Sequence, residues 1–479
     1  MAAEARRWKE VDREGKGKHG MVYYIMQGRE LETVIPKMKG FKRNYVSRYP
    51  GMGDMCEKRN FSKMMALAAP FLGPFPWWPT TFVLPEQLPE LTEEMGRSPR
   101  IWIVKPEDGS QGDGIFLVQS AKDLHARASA RLSLGGVVQQ YLGKPLLLRG
   151  LKFDLRLYVV LAGSGEDLRC VLCDEGLARF CTEPYEAPAL KNLHKVMGHL
   201  TNYSLNKRAE NFVHGGDPFM GDLNDEEASK RSLATALGQV EEEYPEFDRD
   251  RFWAGMREVV EQVCGVVLPV VEASAAPYGI ANRCFQILGF DIMLDHKFKP
   301  HLLEINNSPS LCIDEAMALT PEEVAAAKAL SAEGGRRKRD GICNCMDMQQ
   351  PHGHKECAVD VAVKKAVVCT ALDLLSGDLD LTGSLEPRPW LLGALVDKWV
   401  ALGGTWARAG TGGALRRHLA PVLTQQLTTA DVDIVLRAKK TGPQFASQSR
   451  GFGAEFGVVE WMEVLTAVGV RKYGGHGPA

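Results

Sequence analysis

Three side chains with hard oxygen donors lie in the segment CFQILGFDIMLDHKFKPHLLEINNSPSL, residues 284–311. Asp291 belongs to one apolar run, Glu304 and Asn306 belong to a second, and a polar turn at residues 295–299 joins them. If both runs are strands of a hairpin, alternation puts Glu304 and Asn306 on one face, and pairing can bring Asp291 beside them. Such oxygens suit Mg²⁺ that also binds phosphate. A buried, satisfied carboxylate pair without metal is the alternative.

A glycine-rich loop joins two short apolar runs in IWIVKPEDGSQGDGIFLV, residues 101–118. Residues 101–104 and 115–118 are predicted strands, and Lys105 stands where the first strand ends. Glycine lets backbone N–H groups approach a phosphate, and the lysine adds a positive charge. Because the lysine precedes the glycines and a strand follows them, the order differs from a P-loop and favours a β-hairpin that closes over a nucleotide. A solvent loop between two strands is the alternative.

The run LKFDLRLYVVL at residues 151–161 alternates charged and apolar side chains and predicts a strand. One face carries Lys152, Asp154 and Arg156, and the other carries Phe153, Leu155 and Leu157. The apolar residues that follow favour an interior strand. Charged groups inside a sheet need partners, and a polyanionic ligand would be one.

Other polar side chains lie in segments that flank these strands. The short strand VVQQYL, residues 137–142, is suited to offer backbone groups to an adenine ring. GLARF places Arg179 in a predicted strand, and HLTNYSLNK packs hydrogen-bonding side chains into one loop at residues 199–207. Lys230 lies in a polar segment that predicts an exposed helix start, where a solvated charge is expected.

The length, composition and net charge of the chain limit the classes to which the protein can belong. A chain of 479 residues, 45% hydrophobic and 25% charged, predicts two to four globular domains. The sequence has no run of 18 apolar residues and no apolar centre near its start, which predicts a cytosolic protein without membrane segments. Its 11 scattered cysteines predict reduced thiols, and its net charge of −2 excludes a globally basic nucleic-acid binder.

Two groups of metal-binding residue types have unfavourable spacing. The first is Cys343, Cys345, His352, His354 and Cys357, which match no standard zinc pattern and favour a polar loop. The second, at residues 378–389, begins like a calcium loop, but Pro389 stands where a bidentate glutamate is required. We expect no EF-hand there.

Together, these segments resemble the tubulin tyrosine ligase-like family, which comprises amino-acid ligases with an ATP-grasp fold. The resemblance covers residues 20–376 and rests on motifs in the family's order: NYVSRYPGM, VKPEDGSQGDGIFL, VVQQYLGKPLLL, LKFDLRLYVVL, GLARFCTEPY, HLTNYSLNK, CFQILGFDIML and LLEINNSPSL. Within the family the chain is similar to the polyglutamylases. Its GSQGDGI loop is nearer the members that extend glutamate chains than those that start branches.

The resemblance implies an α/β fold of the ATP-grasp type, with a small N-terminal lobe and a helical C-terminal extension. The expected divisions are an N-terminal lobe (1–95), a central lobe (96–160), a C-terminal ATP-grasp lobe (161–330), a basic linker with a docking helix (331–376) and a helical extension of unknown role (377–479). The docking helix is predicted at residues 358–375, with Lys364 and Lys365 outside its apolar stripe.

The resemblance also implies the reaction and its residues. ATP would phosphorylate an acceptor carboxylate, and the amine of free L-glutamate would attack the acyl phosphate. The implied catalytic residues are Lys105, Lys152 and Arg156, the last at the acyl phosphate. ATP would be bound by Lys105, Gln111, Gly112, Gln139, Gln140, Tyr141, Leu142, Lys152, Phe153, Asp154, Thr201 and Asn202. Glutamate would be bound by Arg179, Tyr203, Ser204 and Lys230, and Mg²⁺ by Asp291, Glu304 and Asn306.

The implied acceptor is the acidic C-terminal tail of tubulin on microtubules, and the implied location is the cytoplasm and cytoskeleton, with the axoneme and basal body of a cilium or flagellum. We expect a monomer with no nucleic-acid or membrane partner. Lys364, Lys365 and residues 336–339 are candidates for a cationic groove. Glycylation or tyrosination on the same fold, and a microtubule-binding pseudoenzyme that serves as an adaptor, are the alternatives.

Overall fold

The structure is a computed structural model that describes residues 22–25, 31–38, 44–72, 74–107, 112, 114–128, 135–207, 209–215, 226–275, 278–318, 322, 324–325, 352–379, 385, 410–411 and 455–456. Its strands are β1 (Val22–Tyr23), β2 (Tyr45–Val46), β3 (Thr81–Leu84), β4 (Trp102–Pro106), β5 (Phe116–Val118), β6 (Gly136–Gln140), β7 (Leu147–Leu148), β8 (Leu151–Ala162), β9 (Arg169–Phe180), β10 (Lys230–Ser232), β11 (Phe285–Leu294), β12 (Pro300–Asn306), β13 (Asp314–Ala318), β14 (His352–Glu356), β15 (Gly410–Thr411) and β16 (Glu455–Phe456). Its α-helices are α1 (Leu31–Met38), α2 (Met52–Met55), α3 (Lys58–Leu72), α4 (Leu88–Arg97), α5 (Ala121–Ala128), α6 (Tyr203–Asn206), α7 (Leu233–Glu243), α8 (Arg249–Ala275) and α9 (Ala358–Ser376).

The smaller of the two main sheets contains four antiparallel strands in the order β3-β6-β4-β5. Its β4–β5 pair confirms the two strands predicted around the glycine loop, since Trp102 lies opposite Val118. The buried apolar side chains of β4 and β5 pack against α4 and α5. Lys105 lies within β4, opposite Val137 of β6. Its side chain therefore projects from a residue that is paired within the sheet.

The larger sheet is antiparallel, in the order β10-β9-β8-β11-β12, and β7 pairs with β8. β8 lies between β9 and β11, which confirms the predicted interior strand. Phe153, Leu155 and Leu157 belong to the main hydrophobic core with residues of α3, α7 and α8. Lys152 and Asp154 are also buried, but they line a cleft instead. The alternation in the sequence therefore separates the core face from a charged face.

The sheets cross two of the predicted domain boundaries. β3 lies before residue 95 but pairs with β6, and β8 begins before residue 160 but pairs with β9 and β11. The chain thus leaves the smaller sheet after β6 and enters the larger one at β7. The boundary predicted at 95/96 lies within α4, between strands of the smaller sheet, and the one at 160/161 lies within β8.

Helix α9 confirms the predicted docking helix, with bounds Ala358–Ser376. Val359, Val363 and Val367 lie in one apolar cluster with Tyr158 and Val160 of β8. Burial of this stripe attaches the helix to the larger sheet on the side opposite to the main core.

The prediction that Lys364 lies on the outer face of α9 is wrong. The side chain is buried, Nζ donates a hydrogen bond to the carbonyl of Cys312, and it lies 2.7 Å from Oδ1 of Asp360. Lys365 is exposed, as predicted. The apolar pattern of the helix could not show that Lys364 contacts Asp360 and the carbonyl of Cys312, which precedes β13.

Several predicted features lie outside the described residues. They are Cys343 and Cys345, residues 336–339, most of the apparent calcium loop and nearly all of residues 386–479. Of the cysteine and histidine group, His354 Nδ1 lies 2.8 Å from Oδ2 of Asp314, and Cys357 is the buried residue that precedes α9. Among the described residues, no helix combines the length and apolarity needed to span a bilayer.

Candidate functional site

An open cleft lies between the two main sheets, and its empty volume, including solvent space at the mouth, is about 650 Å³. β4 and β6 contribute from the smaller sheet, and β8, β11 and β12 contribute from the larger one. The predicted site residues in its lining are Lys105, Gln139, Gln140, Tyr141, Leu142, Lys152, Asp154, Thr201, Asn202, Asp291 and Glu304. Segments nearly two hundred residues apart in sequence therefore meet around one cavity.

Lys105 brings a buried ammonium group to the cleft from β4. Nζ donates hydrogen bonds to the side-chain oxygen of Gln139, at 2.9 Å, and to the carbonyl of Leu303 on β12, at 3.1 Å. Gln139 is held in turn by its amide, which donates to the hydroxyl of Thr81 at 2.9 Å. These hydrogen bonds join the two sheets and fix the lysine at their junction.

Lys152 brings a second ammonium group to the cleft from β8. Nζ donates to the hydroxyl of Tyr141 and to the carbonyl of His199, each at 2.8 Å. The ring of Tyr141 is edge-on to that of His199, and their polar atoms lie 3.1 Å apart. The partners of Lys152 in these bonds are neutral oxygens, and the carboxylate of Asp154 adds a Coulombic attraction.

Burial lowers the pKa of both lysines from 10.5 to about 8. For Lys105, the carboxylates of Glu304 and Asp291 oppose part of that effect. Because a buried ammonium is costly without a charged partner, an anionic ligand in the cleft would favour the protonated form of both side chains. The pair therefore has the electrostatics of a phosphate site.

The β11–β12 hairpin pairs the two strands that carry the three oxygen-bearing side chains, and Asp291 and Glu304 line the cleft. Asp291 lies directly opposite Glu304, and Asn306 lies opposite Gly289, two residues along β11. Burial and the carboxylate of Asp291 raise the pKa of Glu304. A divalent cation would remove this repulsion, and two carboxylates with an amide oxygen are donors that Mg²⁺ accepts. These residues fit a magnesium site.

Asp291 is also the centre of a buried charge network. Arg156 donates to both of its carboxylate oxygens, with Nη2 2.9 Å from Oδ2, and Nη2 of Arg179 lies 2.9 Å from the same oxygen. Arg179 donates from Nε and Nη2 to Asp154, at 2.7 and 2.8 Å, and Asp154 also accepts a 2.5 Å hydrogen bond from Thr201. Burial alone would raise the pKa of Asp291, but Arg156 and Arg179 hold it well below its usual range.

The side chains that the resemblance implies for glutamate binding are neighbours. Arg179 on β9 lies opposite Lys230 on β10, and Nζ of Lys230 lies 4.8 Å from the ring centroid of Tyr203. Lys230 is also ion-paired with Glu315 and Asp360. Burial alone would lower its pKa, but these carboxylates raise it well above its usual value.

Comparison with known proteins connects this geometry to a family. The family model described as "Tubulin-tyrosine ligase family" matches residues 39–321. The chain belongs to the tubulin-tyrosine ligase family. The matched segment contains every strand of both main sheets and all the residues that line the cleft.

Three curated relatives show the extent of the similarity within the tubulin-tyrosine ligase family. "Tubulin polyglutamylase TTLL6" of Mus musculus is 36% identical over 305 residues, which are 62% of this chain and 34% of that protein. "Tubulin polyglutamylase TTLL11" of Homo sapiens is 33% identical over 353 residues, 68% and 48% of the two chains. "Probable beta-tubulin polyglutamylase" of Tetrahymena thermophila is 36% identical over 292 residues, 59% and 23%. The chain thus spans less than half the length of each of these relatives.

At two positions the structure differs from an expectation drawn from the sequence. Phe153 was expected among the ATP-binding residues, but its side chain lies in the main core, stacked on Phe180 at 5.1 Å between centroids. It follows Lys152 in β8 and so faces the opposite side of the sheet. Lys230 was expected at an exposed helix start, but it begins a buried three-residue strand, and Ser232 caps the helix that follows.

The glycine loop of this family member is described in part. Gln111 lies outside the described residues, whereas Gly112 has a φ of +89°. A Cβ at Gly112 would lie 2.7 Å from the side chain of Leu205 and 3.2 Å from that of Asn202. Glycine therefore allows the loop to contact the polar segment that also lines the cleft.

Sequence reasoning missed three residues that support the site. His199 supplies a carbonyl to Lys152, and Glu315 and Asp360 hold Lys230. For His199 a signal existed, because it begins the polar loop motif HLTNYSLNK. For Asp360 the signal was that an acidic residue lies among the apolar residues of α9.

Gly289→Ala is expected to displace Arg156 and to lower the turnover of the reaction proposed below, while the chain still folds. A Cβ at this position would lie 3.0 Å from Cδ of Arg156 and 3.2 Å from Cβ of Pro309. Overpacking of this kind costs about 1–3 kcal/mol. Turnover and thermal unfolding should be measured beside Gly96→Ala in α4, where a Cβ has no neighbour within 4 Å. Gly96→Ala should keep full turnover; equal turnover in both variants would contradict the role of this close contact.

Proposed function

We propose that this family member is an ATP-dependent ligase that extends glutamate chains on acidic tubulin tails. One observation carries the proposal: two buried lysines of low pKa and two facing carboxylates line the same cleft between two sheets. That combination is suited to a triphosphate with its cation. The names of the relatives support tubulin as the acceptor and glutamate as the added residue.

We also propose an ATP-grasp arrangement for the two main sheets. The two sheets with a nucleotide between them would be the central and C-terminal lobes of an ATP-grasp ligase, preceded by a small N-terminal lobe. Gln139, Gln140, Tyr141 and Leu142 lie at the end of β6 and along the cleft wall, where they would contact adenine. Asp291, Glu304 and Asn306 would hold Mg²⁺, which would offset charge on the phosphate oxygens.

The chain's own residues would act mainly through position and charge. An oxygen of the acceptor carboxylate attacks the γ-phosphorus, and ADP leaves. Lys105 and Lys152 stabilise the negative charge on the phosphoryl oxygens, and Arg156 lies beside Asp291 to orient the acyl phosphate formed on the acceptor. The amine of glutamate then attacks the acyl carbon, inorganic phosphate leaves, and the amine loses its proton. Such a route needs no nucleophilic side chain from the enzyme.

Arg179 and its neighbours would bind the free glutamate. A guanidinium fork suits a carboxylate, and Arg179 already spans two carboxylates, those of Asp154 and Asp291. Tyr203, Ser204 and Lys230 lie on the adjacent helix α6 and strand β10. Glutamate would therefore lie next to the proposed metal ligands, within reach of the acyl phosphate.

Microtubules would be the physical partner, and the cytoskeleton, including the axonemes of cilia, would be the place of action. An acidic tail needs a cationic surface. Lys365 is exposed on α9 and stays a candidate for this cationic surface. Lys364 is buried and therefore cannot be part of the surface.

Lys365→Glu is expected to weaken microtubule cosedimentation, with a loss that shrinks as salt is raised, and to leave nucleotide binding unchanged. Lys364→Met is the contrasting variant. Its ammonium is buried between Asp360 and the carbonyl of Cys312, so its loss should lower the unfolding free energy by about 1–3 kcal/mol. A stable Lys364→Met protein with reduced microtubule binding would contradict the assignment of these two lysines.

The test of the function uses the purified chain with microtubules, ATP, Mg²⁺ and an isotopically labelled amino acid. Mass spectrometry of the tails should show glutamate added to existing glutamate chains, and neither glycine nor tyrosine added. Preference for glycine or tyrosine would replace the proposal with another ligase activity. Microtubule binding without any ATP-dependent transfer would indicate a pseudoenzyme adaptor.

A further inference from the structure

The imidazole ring of His199 is buried in the wall of the cleft between the two main sheets. His199 is only 3% exposed, and it lies among the residues that line this cleft. Its Nδ1 atom lies 3.1 Å from the hydroxyl oxygen of Tyr141, and that oxygen accepts a 2.8 Å hydrogen bond from Nζ of Lys152. The ring is thus connected to Lys152 through a single hydroxyl group.

The directions of these hydrogen bonds follow from the chemistry of the groups. An ammonium group only donates, so the hydroxyl oxygen of Tyr141 accepts from Lys152, and the hydroxyl proton must go to another group. Nδ1 of His199 can accept that proton when it carries none itself. A hydrogen bond between the ring and the backbone of Asn192 favours a proton on the ring, which then belongs on Nε2. The ring is therefore neutral, with Nδ1 as the acceptor.

The surroundings of His199 keep the ring neutral at pH 7. Burial, followed by the ammonium of Lys152, lowers the pKa of His199 from its usual 6.5. Glu186 opposes part of this effect, and Lys195, which is ion-paired with Glu186, adds to it. Below pH 6.5 the ring can gain a proton on Nδ1. Tyr141 then loses its acceptor, and Lys152 gains a positively charged neighbour.

Tyr185 offers the other hydroxyl group near Tyr141. Its ring is edge-on to that of His199, with 5.9 Å between centroids, and its hydroxyl donates to the carbonyl of Gly143 at 2.8 Å. The oxygen of the Tyr185 hydroxyl is a competing acceptor for the proton of Tyr141. Removal of that hydroxyl separates the two acceptors.

We propose that His199 is a positioning residue for Lys152: Nδ1 accepts the hydroxyl proton of Tyr141, so that the hydroxyl oxygen faces Lys152 and directs its ammonium to the phosphates. This inference rests on the proposed function. Among the described residues, the hydrogen-bond acceptors of Lys152 are the Tyr141 hydroxyl and the carbonyl of His199. Two of the three N–H groups are thus used, and one is left for a ligand. His199 holds the lysine twice, directly through its backbone and indirectly through its ring.

The test measures the affinity of the full chain for ADP with Mg²⁺ by calorimetry at pH 7.5. His199→Leu should weaken binding by about 3- to 10-fold, since one neutral hydrogen bond that supports Lys152 is lost. His199→Asn should recover most of the affinity, because its side-chain oxygen can accept from Tyr141 in place of Nδ1. Equal affinity of parent and His199→Leu, or equal losses in His199→Leu and His199→Asn, would overturn the proposal.

His194→Leu is the matched control for the loss of an imidazole ring. His194 is exposed in the segment that precedes His199, and it does not line the cleft. Its replacement should leave the affinity for ADP with Mg²⁺ unchanged. A loss as large as that of His199→Leu would show that the effect does not depend on the hydrogen bond to Tyr141, and would overturn the proposal.

Double-mutant cycles identify the hydroxyl through which the ring acts. In a Tyr141→Phe background, His199→Leu should cause no further loss of affinity, because the proton that Nδ1 accepts is absent. Additive losses would contradict the proposal. In a Tyr185→Phe background, the loss caused by His199→Leu should persist. Its disappearance would show that the ring acts through Tyr185 and would also overturn the proposal.

The pH profile is a readout that a purely structural role of the ring would not change. Between pH 7.5 and 5.5 the parent should lose affinity for ADP with Mg²⁺ more steeply than His199→Asn, whose amide does not titrate. Protonation of the nucleotide contributes equally to both curves, so their difference reports the ring. Parallel curves, or tighter binding by the parent at pH 5.5, would overturn the proposal.

The comparison of parent with His199→Asn also decides the case in which His199→Leu does not fold. If the parent shows no binding of ADP with Mg²⁺, the proposed function fails, and this inference fails with it. If the parent binds the nucleotide, and neither the ring variants nor pH changes the affinity as expected, this inference alone fails.

Discussion

Replacing Asp291 by asparagine is expected to reduce the proposed glutamate transfer by about a thousandfold. The carboxylate faces Glu304 across the hairpin and also receives hydrogen bonds from Arg156 and Arg179. The asparagine amide has no negative charge to neutralise the two buried guanidinium groups. Removing one member of a buried ion pair lowers the free energy of unfolding by about 3–5 kcal/mol. Turnover and the free energy of unfolding should therefore both fall.

Asp295→Asn is the matched control for that variant. Asp295 follows β11 in the same hairpin, and its carboxylate accepts from the N–H groups of Lys297 and Lys299 in the turn. It does not line the cleft between the two main sheets. We expect normal KM values and turnover for the folded Asp295→Asn protein. Equal activity of the two variants would show that Asp291 is not part of the reaction site.

Lys105→Met is expected to weaken magnesium-dependent nucleotide binding by about 10- to 100-fold, since one ammonium contact with phosphate is lost. The same variant should be at least as stable as the parent at pH 7. Burial lowers the pKa of Lys105 to about 8, below the unfolded value of 10.5, so the protonated side chain opposes folding. Below pH 8 the full penalty applies, on the order of 3 kcal/mol, and it diminishes between pH 8 and 10.5 as the folded state releases the proton first.

Denaturant unfolding at pH 7 and pH 9.5, with calorimetry of nucleotide binding, checks both parts of this expectation. The parent should gain stability between these pH values relative to Lys105→Met. Lys195→Met serves as the control, because Lys195 is half exposed and paired with Glu186. A destabilised Lys105→Met protein that binds nucleotide as tightly as the parent would contradict the role given to the lysine.

Side-chain alternation was enough to predict strand β8 and the β11–β12 hairpin. The parity of Lys152, Asp154 and Arg156 shows in the sequence because β8 has apolar residues at every intervening position. The facing of Asp291 and Glu304 followed from two apolar runs and a short polar turn. Local patterns suffice where a hairpin pairs neighbouring segments.

Long-range charge pairing could not be predicted in the same way. Lys230 resembles a solvent-exposed lysine until Asp360, 130 positions later, provides a buried partner on α9. Lys364 depends on the carbonyl of Cys312, and Lys105 on that of Leu303. No periodicity encodes such partners, because a buried charge is stabilised by whatever polar groups the tertiary fold brings to it. Nor does a local pattern show that β3 and β8 pair with strands on the other side of the expected domain divisions.

Covalent labelling by an acyl phosphate of ATP provides the most direct test of whether the lysines and the oxygen cluster surround one triphosphate. Such a probe transfers its acyl group to lysines beside the phosphate chain, and peptide mapping identifies them. With Mg²⁺ present, Lys105 or Lys152 should carry the label, excess ATP should prevent it, and Glu304→Gln should reduce it. Labelling confined to lysines outside the cleft, or labelling of Lys105 and Lys152 that ATP does not prevent, would contradict the account.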